Sequence, residues 1–192
     1  MIAIVVPFRG PGAKRRLAPM GGRERAELAL AMLGDVLAAC LAVGETTVVT
    51  ADDAAVELAE ELGAATLPDP GGGQGTAVAA ALGSGTTLVV NADLPCATPH
   101  DVRQLARAIP DGGLALVEAE DGTTNALGLS SPDLFAPVYG PGSARRFRLL
   151  APAAISVLLP NLARDVDTLE DLERVQLTAG PRTQAALAAL AR

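Results

Sequence analysis

The sequence predicts an α/β fold in three layers, with a mostly parallel central sheet between helices. Three observations carry that expectation. Ile2-Ala-Ile-Val-Val6 and Thr86–Val90 are short, nearly continuous apolar runs, the pattern of strands buried on both faces. Stretches with apolar residues three and four apart alternate with such runs through the first half of the chain. Each crossover then carries a helix, and neighbouring strands run parallel. The chain has 192 residues, 49 % of them hydrophobic, which suits one domain with one sizeable core over residues 1–192.

Taken in order, Ile2–Val6 is the first strand, closed by Pro7 and followed by a Gly/Pro/basic loop from Arg9 to Gly22. The spacing predicts a helix from about Arg23 to Leu41 and a second strand at Thr46–Thr50. Asp52 is placed to cap a helix running to about Leu62, with Gly63 as its stop. Asp69-Pro-Gly-Gly-Gly73 reads as a loop, followed by an Ala-rich helix to about Leu82. The Thr86–Val90 strand ends in Asn91-Ala-Asp-Leu-Pro95. Thr98, Pro99 and Asp101 make a capping box for the next helix. Leu114–Val117, Asn125–Leu129 and Ile155–Leu158 read as strands, the later ones less regular and one of them a candidate for antiparallel pairing. Gly140-Pro-Gly-Ser143 precedes a short basic helix, Thr168–Asp171 is another capping box, and Pro181 opens a final Ala-rich helix.

Composition narrows the partners. A net charge of −7 gives no general attraction to a phosphate backbone, and 2 % aromatic residues leave few stacking platforms, so nucleic acid is not expected as a partner. No apolar run reaches membrane-spanning length and no signal peptide is visible, so a cytoplasmic protein without a membrane partner is expected. Cys40 and Cys96 are too few for a disulfide framework or a metal knuckle, and Cys40 reads as a buried thiol. Arginine outnumbers lysine 14 to 1, so the single lysine, Lys14, stands out.

In open α/β sheets ligands gather at the carboxyl ends of strands, and the polar residues there form five clusters. The first loop carries Arg9, Lys14, Arg15 and Arg16 among Gly10, Pro11 and Gly12. Small residues admit a ligand close to the backbone and cations neutralise phosphates, although the same loop also reads as a solvated basic segment. The second is the glycine loop at Asp69. Asp93 follows an apolar strand, where a carboxylate suits a hard cation such as Mg²⁺ or simply a turn. Asp165 and Asp167 alternate after the last strand and so share a face, as a metal-binding pair or as a cap beside Thr168. Gly140–Ser143 leads into a helix whose N-terminus could take an anion, with Thr123, Thr124 and Asn125 offering more donors, or is an ordinary turn. Arg145, Arg146 and Arg148 read as a solvated face, from which one could reach an anionic substrate. Two strand-end carboxylates with a basic loop are what metal-assisted phosphoryl or nucleotidyl transfer requires. His100, the only histidine, has no evident partner, which leaves no means for a Ser/His/Asp or Cys/His arrangement. A phosphate acceptor needs none, because its second pKa of about 6 leaves it ionised at neutral pH.

These clusters, in this order, resemble the 2-phospho-L-lactate guanylyltransferase family of coenzyme F420 biosynthesis, whose bacterial members are also described as phosphoenolpyruvate guanylyltransferases. The resemblance rests on Val6-Pro-Phe-Arg9, Ala13–Leu17, Asp69–Gly73, Ala92-Asp-Leu-Pro95, Thr124-Asn-Ala-Leu127, Gly140–Ser143 and Asp165-Val-Asp-Thr168. It implies a nucleotidyltransferase fold related to the GT-A glycosyltransferases and Rossmann-like in its layers. It implies GTP as donor, Mg²⁺ held by Asp93 and Asp167, and the triphosphate held by Arg9, Lys14 and Arg16. Asp69, Gly71, Gly72 and Gly73 would lie along the nucleoside, and Thr124, Gly140 and Ser143 would bind phosphoenolpyruvate or 2-phospho-L-lactate. The Arg- and Ala-rich composition has the look of a GC-rich bacterial genome, which leans toward phosphoenolpyruvate. The chain departs from the family pattern in reading Gly73-Gln-Gly75 where members often read Gly-Leu-Asn, in Asn91 for a commoner Pro, and in Arg146-Phe147 for an Arg-His pair. The alternatives are another nucleotidyltransferase of this fold, molybdopterin- or sugar-activating, and a non-catalytic nucleotide-binding protein.

Overall fold

A computed structural model describes residues 2–10 and 20–190. Seven strands form one sheet: β1 (Ala3–Pro7), β2 (Glu45–Thr50), β3 (Ala65–Pro68), β4 (Thr87–Val90), β5 (Leu114–Glu118), β6 (Thr124–Leu129) and β7 (Ala154–Ser156). Their order across the sheet is β3-β2-β1-β4-β6-β5-β7. β6 alone runs against its neighbours, pairing antiparallel with β4 and β5, and the other pairings are parallel. The antiparallel candidate is therefore the strand read at Asn125–Leu129.

The helices are α1 (Gly22–Leu41), α2 (Asp53–Leu62), α3 (Gln74–Ala81), α4 (Pro99–Ala108), α5 (Ser143–Arg148), α6 (Pro160–Ala163), α7 (Leu169–Val175) and α8 (Pro181–Leu190). Strand side chains alternate between two cores. Ile4, Val6, Val48, Leu88, Val90, Ala115 and Val117 face residues of α1, α2, α4 and α6. Val5, Val49, Val89, Leu114, Leu116 and Leu127 face α3 and α5. Both sides of the sheet are thus covered, which is why the central strands β1 and β4 read as apolar runs rather than as alternation. A third cluster, with Leu28 and Met32 of α1, Cys96, Val166, Leu172 and Val175, docks α7 and α8.

The predicted caps form. Asp52 accepts from the Ala55 amide at 3.0 Å, and Gly63 ends α2 at φ 87°. Thr98 with Asp101, and Thr168 with Asp171, close capping boxes. The amides of Arg182 and Thr183 donate to the buried carboxylate of Asp35, at 3.0 and 2.8 Å, so α1 caps α8. Cys40 is free and buried, and burial pushes its thiol up to about 12. No described helix is long and apolar enough to cross a membrane.

The last strand is shorter and earlier than Ile155–Leu158, because only Leu114–Leu116 of β5 offers it a pairing register. β3 and α6 were not expected from the sequence. Each spans four residues and lacks a periodic apolar run.

Candidate functional site

Chain order 3-2-1-4 reverses direction between β1 and β4, and a crevice opens at their carboxyl ends. A cleft of about 200 Å³ occupies it, lined by Pro7–Gly10 after β1, Ala29 and Met32 of α1, Gln74, and Asn91–Asp93 after β4, with Asp167. A second cleft of about 190 Å³ lies beside the first, lined among others by Thr124, Asn125, Tyr139, Gly140, Ser143 and Asp165. The two share one wall: Gln74, Asn91, Asp93 and Asp167.

Asp93 reaches this wall from the turn that follows β4, three residues beyond its end at Val90. Asp165 and Asp167 reach it from the far end of the chain. The Val166 amide donates to the Asp93 carbonyl at 3.1 Å, so the two alternate carboxylates point toward the third. Carboxylate oxygens of Asp93, Asp165 and Asp167 lie within 4.8 Å of one another. The capping box of α7 fixes this segment, with the Asp167 and Thr168 amides donating to Asp171 at 3.2 and 2.8 Å. Burial first, and then the neighbouring charge of Asp93, push the Asp165 carboxyl up to about 6, against the pull of the Asn125 amide that donates to it at 3.1 Å. The donor set is all oxygen, without Cys or His, and it concentrates negative charge. It fits a hard divalent cation.

Of the other expected residues, Arg9 is exposed and lines the first cleft. Lys14 and Arg16 lie outside the described residues. Gly71, Gly72 and Gly73 all take positive φ (80°, 81° and 102°), a run that only glycine tolerates easily. The Asp69 carboxylate accepts the Gly71 amide at 2.9 Å and so turns the loop. This loop does not line the first cleft; Gln74, directly after it, does. Thr124, Gly140 and Ser143 come together, and the Ser143 hydroxyl donates to Thr124 Oγ1 at 3.1 Å in a buried pair.

Two readings need correction. The first two N–H groups of the helix that starts at Ser143 are already engaged and not open to an anion. The helix has six residues, the Ser143 amide donates to Gly140 O at 2.9 Å, and the Ala144 amide donates to Gly122 O at 3.3 Å. Hydroxyls, not the helix end, face the cleft. Nor are the arginines of α5 simply a solvated face. Arg146 donates to the carbonyls of Val138, Tyr139, Gly140 and Pro141, holding that loop, and Arg148 pairs with Glu118 at 2.7 Å. Arg145 is exposed, as is His100.

The sequence does not show what several residues around the site do. Asn125 was seen as a donor, but not as the one that holds Asp165. Tyr139 packs edge-on against Phe147 at 5.1 Å, and its buried hydroxyl has no hydrogen-bond partner among the described residues. Gln74 and Asn91 stood out only as departures from a pattern, yet the Gln74 amide donates to Asn91 Oδ1 at 2.7 Å. Gly75, the third departure, lies against Pro137, where a Cβ would come within 2.5 Å of the Pro137 Cβ.

A switch-point crevice with clustered carboxylates between two clefts defines a nucleotidyltransferase. The family model described as a MobA-like NTP transferase domain matches residues 9–184. A nucleotidyl transferase from Methanothermobacter thermautotroptrophicus shares the fold, with a TM-score of 0.68 and 17 % identity over 98 % of this chain and 99 % of that one. Phosphoenolpyruvate guanylyltransferase of Nocardia farcinica is 37 % identical, over 96 % of this chain and 89 % of its own. The protein of that name from Geodermatophilus obscurus is 36 % identical, over 99 % and 95 %. The chain belongs to the phosphoenolpyruvate guanylyltransferase family, within the MobA-like NTP transferases.

Proposed function

We propose that the protein transfers GMP from GTP to phosphoenolpyruvate, with release of pyrophosphate, as a cytoplasmic step of coenzyme F420 biosynthesis. The observation that carries this is the wall of Asp93 and Asp167 between two clefts, one for a donor and one for an acceptor. The named activity of the relatives supports GTP and phosphoenolpyruvate as the pair. 2-Phospho-L-lactate differs at one carbon and is the alternative acceptor.

Asp93, Asp165 and Asp167 would hold Mg²⁺, which when bound supplies charge neutralisation between donor and acceptor phosphates. Without a cation these carboxylates repel both substrates. Arg9, at the first cleft, faces the leaving pyrophosphate, and we assign Lys14 and Arg16 to the same polyphosphate. Thr124 and Ser143 hydroxyls orient the acid in the second cleft, beside Gly140. Asp69 and Gly71–Gly73 hold the start of α3 against the nucleoside. An acceptor phosphate oxygen attacks the α-phosphorus in line, the bond to the β-phosphate breaks, and pyrophosphate leaves with the electron pair. The acceptor is ionised at neutral pH, so no side chain has to take a proton.

The test is to incubate the protein with Mg²⁺, each nucleoside triphosphate and each acid, and to weigh the product. GTP with phosphoenolpyruvate is expected to give a diphosphate-linked guanosine product. Asp93→Ala is expected to stay folded and to lose on the order of 10²-fold or more in turnover. Pyrophosphate release with another triphosphate or acceptor, and none with this pair, would refute the assignment.

A further inference from the structure

The shared wall of the two clefts contains two carboxylates and two amides, Gln74 and Asn91. An ionised carboxylate can only accept hydrogen bonds. Among the described residues of this wall, the side-chain donors that could meet an anion spanning both clefts are therefore the two amides.

Their orientation follows from the bonds they make. Asn91 Nδ2 lies 3.3 Å from the Thr124 carbonyl oxygen, which can only accept. That fixes Asn91 with its nitrogen toward β6 and its Oδ1 toward α3, so Gln74 must present its nitrogen, at 2.7 Å. The Asn91 amide N–H is held as well, by Asn125 O at 3.0 Å. Asn91 is thus clamped to β6 on two atoms, and Gln74 is clamped to Asn91. One N–H of Gln74 is spent on this bond, and the second remains available at the junction of the clefts. Gln74 is half-buried and opens α3 directly after the glycine loop, so its backbone is fixed too.

We propose that the second amide N–H of Gln74 donates to a non-bridging oxygen of the nucleotide α-phosphate during transfer, and that Asn91 is a positioning residue that aims it. This rests on the reading that an α-phosphate is attacked between the two clefts. A fixed neutral donor stabilises charge on that phosphate as the bond order changes, with no reorganisation at the moment of reaction. Arg9 lines only the first cleft and acts on the leaving side.

The test uses the full chain, phosphoenolpyruvate, Mg²⁺, and GTP or either diastereomer of GTP carrying sulfur on the α-phosphate. Gln74→Leu is expected to lower kcat about 10²-fold, with the KM for GTP changed less than about threefold. Sulfur in place of the contacted oxygen should slow the parent protein with one diastereomer, and in Gln74→Leu that penalty should collapse. Asn91→Ala should reproduce part of the loss, and the double variant should fall short of the product of the two. A purely structural bond between α3 and β4 would lower stability while leaving the sulfur penalty intact, and that result, or parental kcat in Gln74→Leu, overturns the inference. No transfer by the parent protein with GTP and phosphoenolpyruvate would instead overturn the functional reading, and this assignment with it.

Discussion

Replacing Asp165 by Asn should make the metal-free protein more stable while removing its activity. Asp165 sits at the carboxylate cluster with its acid form favoured, its pKa raised from 3.8 to about 6 by burial and by Asp93. A folded-state pKa above the unfolded one means that the native state holds its proton more tightly. Asp165 then contributes fully below about pH 4 and loses that contribution as pH rises through about 6. A rise of that size corresponds to about 3 kcal/mol. Part of the carboxyl faces water, so roughly half, about 1.5 kcal/mol, should be recoverable. The amide oxygen of the substituted side chain can still accept from Asn125, so the 3.1 Å bond survives and only the charge is lost. Urea unfolding without divalent metal should give Asp165→Asn a gain of about 1.5 kcal/mol at about pH 7.5, shrinking toward zero near pH 4. Transfer activity should fall at every pH, because a ligand charge is gone. A variant less stable than the parent at neutral pH, or a gain independent of pH, would refute the electrostatic account.

Three further outcomes follow from packing and hydrogen bonding. Asp35→Ala strands the first amides of α8 and should cost about 3 kcal/mol in urea unfolding, with amide exchange accelerating first across residues 181–190. Gly75→Ala forces a methyl group into Pro137 backbone and side chain and should cost about 1–3 kcal/mol; it should also raise the KM for the acid, since the displaced loop carries Tyr139 and Gly140. Tyr139→Phe removes a buried hydroxyl without a described partner and should raise stability by about 1 kcal/mol rather than lower it, as measured by thermal melting with the parent alongside.

The layers were legible in the sequence because both faces of the sheet are covered. β1 and β4 announce themselves as apolar runs, and the caps at Asp52, Thr98 and Thr168 are chemically specific. β3 was not legible: its four residues, Ala65–Pro68, pair with β2 at the sheet edge, none is buried, and only Leu67 packs against the core beneath. The meeting of Asp93 with Asp167 can be guessed from strand ends, and alternation puts Asp165 on the same face as Asp167, but nothing in the sequence shows the burial of Asp165 or the Asn125 amide that donates to it. The Ser143 amide looked free because a sequence cannot say that the Gly140 carbonyl curls back onto it. Arg146 looked solvated for the same reason, its partners being carbonyls that every residue has. Gln74 and Asn91 are 17 positions apart, and no periodicity links them.

The bond from the Val166 amide to the Asp93 carbonyl joins points about seventy positions apart, with three strands threaded between them. The chain up to the end of β4 and its following turn contains four of the seven strands and only one of the three clustered carboxylates. The acidic cluster is therefore complete only when the segment after α6 has returned to Asp93. A chain truncated before Asp165 would keep Asp93 and lack the other two carboxylates, and it should hold a divalent cation more weakly than the full chain.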